Sequence, residues 1–211
     1  LRLAIALVAL TLAYNVIEAV IAIWAGTEAG SIALFGFGLD SVIELAAAAV
    51  LLWRLLVELR GGDRDRVQTT ERRAHLFVGL TFLALAAYVT IQALLTLVRA
   101  DRPEESPVGI VLAAVSLAVM PLLAWGKLRT AARMGSEALR AEAKETLACA
   151  YLSLTLLVGL ALNSALGWWW ADPVAALVMV PWLVREGVEG VRGEAEEGEQ
   201  GSAGDGRAGD G

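Results

Sequence analysis

Six stretches of this chain are long and apolar enough to cross a bilayer, and no other property of the sequence restricts its fold as severely. A spanning helix needs about 20 mostly apolar residues, because the hydrocarbon core is about 30 Å thick and each helical residue rises about 1.5 Å. The stretches run from Leu3 to Ala25, Ser31 to Val57, Ala74 to Val98, Val108 to Trp125, Leu139 to Leu166 and Pro173 to Val184. The last is short unless Trp168 to Trp170 and the residues to Val188 extend it. The fifth is long, and its first turns, with Glu137, Arg140 and Lys144, are expected to project beyond the hydrocarbon. Turn residues punctuate the connections at Gly26 to Gly30, Gly61-Gly62, Pro103 to Pro107, Gly135-Ser136 and Gly167. The pattern predicts an all-α membrane protein of six transmembrane helices.

Composition agrees. The 211 residues are 57% hydrophobic and 19% charged, and the mean hydropathy of +0.63 is too high for an ordinary soluble domain. Among seven Trp, the run Trp168 to Trp170 stands at a segment end, where amphipathic rings favour the headgroup level. The first stretch exceeds a signal-peptide core and leads directly into a second span, so it reads as a mature helix. The single cysteine, Cys149, excludes an internal disulfide and any Cys-pair zinc motif. No long basic stripe with interleaved aromatics is present, which disfavours nucleic-acid binding. Much of the net charge of -6 comes from Glu194, Glu196, Glu197, Glu199, Asp205 and Asp210. The expected organisation is a membrane domain over 1–190 and a disordered, acidic, Gly-rich tail over 191–211, with no folded soluble domain after the last helix. The start at Leu1 rather than Met leaves room for residues upstream.

Basic residues near helix ends stay cytoplasmic, and here they divide unevenly. One side collects Arg2, Arg54, Arg60, Arg64, Arg66, Arg72, Arg73, Lys127, Arg129, Arg133, Arg140, Lys144, Arg185, Arg192 and Arg207; the other has Arg99 and Arg102. Both termini are therefore expected in the cytoplasm, with the chain integral to a plasma membrane of bacterial type.

An ionisable group at bilayer depth costs about 2.5–3.5 kcal/mol on insertion scales, so each one requires a partner or a purpose. In the second span Asp40 and Glu44 are four residues apart and share a helical face. Such a pair repels itself unless a cation lies between the carboxylates or a proton neutralises one. In the fifth span Glu145 and Cys149 repeat the spacing. If the two faces oppose one another, three carboxylates and a thiolate surround one ion at about 2.0–2.3 Å per bond for zinc. The thiolate favours zinc over magnesium or calcium, while the carboxylates leave cobalt, cadmium, manganese and iron open. Plainer readings stand beside this one. Asp40 with Glu44 can be a protonated packing pair, Cys149 a small core residue, and Glu145 an interfacial partner of Lys144 or Arg140.

The remaining polar residues carry weaker signals. Asn15 and Glu18 either line an access path or hydrogen-bond to a neighbouring helix, and Glu142 is either a guide at the inner mouth or a solvated charge. His75 reads as a boundary residue. Asp172, just before Pro173, is expected to cap the start of the sixth helix. Gly36, Gly38 and Ala46 to Ala49 suit close packing of the second helix.

These residues resemble those of the cation diffusion facilitator family, six-helix exporters of zinc and related divalent metals. Members place two metal ligands four apart in helix two and two more, often His and Asp, four apart in helix five; Asp40 and Glu44, then Glu145 and Cys149, stand at those places. Ser31-Ile-Ala-Leu, Asp40-Ser-Val-Ile-Glu44, Arg72-Arg73, Gly135-Ser-Glu-Ala-Leu and Trp170-Ala-Asp-Pro-Val-Ala-Ala are similar to the family as well. The likeness covers about Leu3 to Gly190. It departs where Glu145 and Cys149 replace His and Asp, and in lacking the usual cytoplasmic C-terminal domain, as in a short divergent subgroup. The resemblance implies a transporter rather than an enzyme, with no bound cofactor, a divalent metal as substrate and a homodimer formed through membrane helices.

The expected mechanism is alternating access, with protons that compete for the ligands serving as exchange partner. Two rivals are a membrane metal sensor or accessory subunit that binds without translocating, and an intramembrane aspartyl hydrolase. The last is suggested by Gly36-Phe-Gly38-Leu-Asp40, which misses the Gly-x-Gly-Asp pattern by one residue and has only Asp172 to offer as a second aspartate.

Overall fold

The computed structural model describes the backbone of residues 1–59 and 64–205, and the side chains other than those of 58–75, 137 and 193–211. The Gly61-Gly62 turn, the side chains of Arg60, Arg64, Arg66, Arg72, Arg73 and His75, and the acids of the tail lie outside the described residues. Among the described residues, six helices follow one another: α1 Arg2–Ala29, α2 Ile32–Leu59, α3 Arg64–Arg99, α4 Pro107–Met134, α5 Glu137–Leu166 and α6 Ala171–Asp205. The expected all-α membrane fold is the one observed. Among the described residues, five helices are long and apolar enough to cross a membrane: Arg2–Ala29, Ile32–Val57, Leu76–Arg99, Pro107–Met134 and Ala138–Leu166. In α6 the apolar run gives way to Arg185, Glu186 and Glu189.

Several helices outlast the apolar stretches that define them. α3 begins at Arg64 rather than Ala74, and α4 continues past Trp125 to Met134. A helix of 28 residues, such as α4, spans about 42 Å against a hydrocarbon thickness of about 30 Å, so its charged end stands among headgroups or in water. It stops where Gly135 adopts a left-handed φ of 64° that closes the C-cap. The expected tail differs too: α6 remains helical to Asp205. Residues 194–200 are mostly Glu, Ala and Gln, good helix formers by intrinsic propensity.

α1, α2, α5 and α4 pack in a ring, each against the next, and α3 pairs with α6 along the outside of α2 and α5. Glycines permit the closest approaches. A Cβ at Gly38 would lie 2.8 Å from the Ile23 backbone nitrogen, which binds α2 to α1 as the small residues suggest; one at Gly79 would lie 3.0 Å from the Gly187 carbonyl oxygen, which binds α3 to α6. Large apolar side chains such as Ile17, Val20, Leu80 and Leu122 point away from the bundle, as lipid-facing residues must.

Three connections meet at one end. The Glu104 amide donates to the Ala29 carbonyl at 2.8 Å, and Asn163 Nδ2 donates to the Pro103 carbonyl at 3.1 Å. Here Asp172 corrects the sequence expectation. It caps α2 instead of α6: Ser31 Oγ donates to its Oδ1, and the Ile32 amide donates to its Oδ2 at 3.0 Å. The first amides of α2 are orphan donors carrying partial positive charge, and a buried carboxylate from the first turn of α6 satisfies them.

The apolar core is in two pieces. The larger, containing Ala22, Leu34, Phe37 and Leu156, lies mainly toward the three connections; the smaller, containing Val8, Leu51, Leu55 and Leu139, lies toward the termini. Between them lies a layer of buried polar side chains contributed by α1, α2, α4 and α5.

Candidate metal centre

That layer contains most of the sequence-derived candidates. On α2, Val42 is exposed to the lipid side while Asp40, Ser41 and Glu44 turn into the ring. On α5, Glu142, Thr146, Cys149 and Ser153 recur at helical spacing and all are buried. Where the two faces meet, donor atoms of Asp40, Glu44 and Cys149 lie within 4.8 Å of one another.

The group is nearly sealed from solvent, with exposures of 2%, 8% and 0%. Two unit negative charges 4.8 Å apart repel by about 3.5 kcal/mol at an effective dielectric of about 20. A cation or a proton must offset that cost. Among the described residues, no Lys or Arg lies within salt-bridge distance of Asp40, Glu44 or Glu18. Asp40 Oδ2 is buried without a hydrogen-bond partner, and an acceptor so placed costs the fold free energy until something electropositive reaches it.

α1 enters this centre more deeply than an access path would. Asn15 Nδ2 donates to Glu44 Oε2 at 3.2 Å, while Asn15 Oδ1 is buried and unpartnered. Glu18 Oε2 accepts from Ser41 Oγ at 2.9 Å and from Cys149 Sγ at 3.8 Å. Glu18 Oε1 accepts from Ser116 Oγ, which is itself 2.8 Å from the Tyr14 hydroxyl. The polar stripe Thr11, Asn15, Glu18 at i, i+4, i+7 was the available signal for this placement.

Glu145 and Glu142 fall elsewhere. Glu145 is half-buried and not among the mutually close donors, although it is near enough to Asp40 and Glu44 to act on both as a charge. The structure thus gathers three of the four residues expected from α2 and α5. Glu142 is not a solvated charge: Lys127 of α4, with 0% exposure, donates to Glu142 Oε1 at 2.6 Å and to Thr146 Oγ1 at 2.8 Å. Lys127 sits on the same helical face as Ser116 and Met120, which explains its burial beside the exposed Arg129.

Two ligands of a tetrahedral zinc stand about 3.5 Å apart, from bonds of about 2.0–2.3 Å. The three gathered donors need to close by only about 1 Å to hold one ion, within the range of side-chain adjustment. An aspartyl hydrolase fits poorly, because Asp172 is held at residues 31–33, about 11 Å along α2 from Asp40.

Comparison with known proteins gives a consistent result. The family model of the cation efflux transmembrane domain matches residues 8–192. A curated relative from Synechocystis, described as an uncharacterized transporter, is 30% identical over 155 residues, which is 70% of this chain and 49% of the relative. The chain therefore spans about half the length of the curated relative it matches.

Proposed function

The chain belongs to the cation efflux family, and on that premise we propose that it is a secondary transporter that exports a divalent metal, zinc foremost, in exchange for protons. The observation that carries this reading is the convergence of Asp40, Glu44 and Cys149 in a buried layer. Two carboxylates and a sulfur suit a borderline cation and discriminate against magnesium and calcium, which prefer oxygen alone. Metal enters from the side of the termini, whose excess of basic residues favours a cytoplasmic position. Glu145, on that side of Cys149, draws the cation toward the site.

Only deprotonated ligands bind metal well, so loading expels protons and a more acidic outer solution drives release. Rocking of the helices then alternates which face reaches the site. The test is flux into proteoliposomes containing only this protein, followed with zinc- and pH-sensitive dyes under an imposed pH gradient. Zinc movement coupled to opposite proton movement is expected. Stoichiometric binding without flux would reassign the chain as a sensor or accessory subunit.

A further inference from the structure

We infer that α1 supplies the fourth donor of the metal site, the Glu18 carboxylate, so that the ion is held by three helices. The inference rests on the reading of Asp40, Glu44 and Cys149 as ligands. Those three leave one corner of a tetrahedron open; neither Glu145, the fourth donor expected from sequence, nor Glu18 belongs to the mutually close group itself, so a fourth ligand has to move in on binding. Glu18 Oε2 is 3.8 Å from Cys149 Sγ, close to the separation of about 3.5 Å that two zinc ligands keep.

Its orientation is built. Ser41, next to Asp40 on α2, holds Oε2 toward the α2–α5 gap, while Ser116 of α4 holds Oε1 from the other side. Hydroxyl donors of this kind aim a ligating carboxylate and remain in place when it takes a metal. Unfilled acceptor capacity continues onto α1 as well: besides Asp40 Oδ2, Asn15 Oδ1 is fully buried without a partner. A purely structural Glu18 would tie α1, α2 and α4 through its serines and explain neither orphan. The completed set of three carboxylates and one thiolate fits zinc, cobalt and cadmium. It also means that release must carry α1 away from α2 and α5.

Cobalt is a suitable probe, since its d–d bands report coordination and its sulfur-to-metal charge-transfer band reports Cys149. The full-length chain in nanodiscs should bind one cobalt with both signatures. Glu18→Gln should weaken binding at least about tenfold (1.4 kcal/mol) and reduce the d–d intensity while the charge-transfer band persists, and Glu18→Asp should fall between. If both variants titrate and absorb like the parent while Asp40→Asn loses binding, α1 is not a ligand and the inference fails alone. If the parent itself binds no cobalt, the site reading fails and takes the inference with it. Should Glu18→Gln not fold, Glu18→Asp decides: weakened binding with altered d–d bands supports the fourth ligand, and unchanged bands overturn it.

Discussion

Glu142 and Cys149 stand two turns apart on the same face of α5, yet the polar groups around them are neutralised in different ways. Around Glu142 the fold provides its own cation, Lys127, fully buried and doubly hydrogen-bonded. Around Cys149 it assembles carboxylates from α1 and α2 and places no Lys or Arg against them among the described residues. A buried acid that comes with its counter-ion is a weld, here between α4 and α5. A buried acid group without one has room for a cation from outside.

The largest effect that would sharpen this contrast is Lys127→Met. It strands Glu142 in the interior and should cost about 3–5 kcal/mol of stability in denaturant titrations of the reconstituted protein. Adding Glu142→Leu should recover most of the loss. If Lys127→Met instead stops transport at unchanged stability, the contrast breaks and the lysine belongs to the transport cycle. Asp40→Asn should do the reverse, lowering zinc flux at least about a hundredfold, equivalent to about 2.7 kcal/mol, while stability holds or rises as repulsion is relieved. Cys149→Ser exchanges a soft donor for a hard one and should shift the zinc-to-manganese flux ratio about tenfold toward manganese, about 1.4 kcal/mol. Smallest is Ser31→Ala, outside both clusters, which removes part of the α2 cap. It should cost about 1 kcal/mol in the same titration and leave flux per folded protein unchanged.

Local pattern made much of this legible. Apolar runs of about 20 residues located the spans, and the i, i+4 spacing of Asp40 and Glu44 put two carboxylates on the face that enters the centre. Cys149 was found by the same spacing, although its assumed companion Glu145 falls outside the close group. What escaped depends on contacts between distant helices. Lys127 lies among arginines in sequence and reads as part of a basic rim, but rotation of α4 turns it inward. Asp172 beside Pro173 looks like a local cap, whereas its partners are Ser31 and Ile32, about 140 residues earlier. Glu18 has no second carboxylate at helical spacing on α1, so its meeting with Ser41, Ser116 and Cys149 appears only once three other helices surround it.

The division of the apolar core into two pieces bears on leakage. If the chain exchanges metal for protons, as proposed, it must never offer protons a continuous file of water, or the gradient runs down unused. Leu34, Phe37 and Leu156 shield the polar layer on one side, and Leu51, Leu55 and Leu139 shield it on the other. Dry partitions of this kind block ions until their walls separate and water enters. Under the proposed exchange, insulation is kept as long as the two partitions never part together, which would confine each opening to one side of the polar layer at a time.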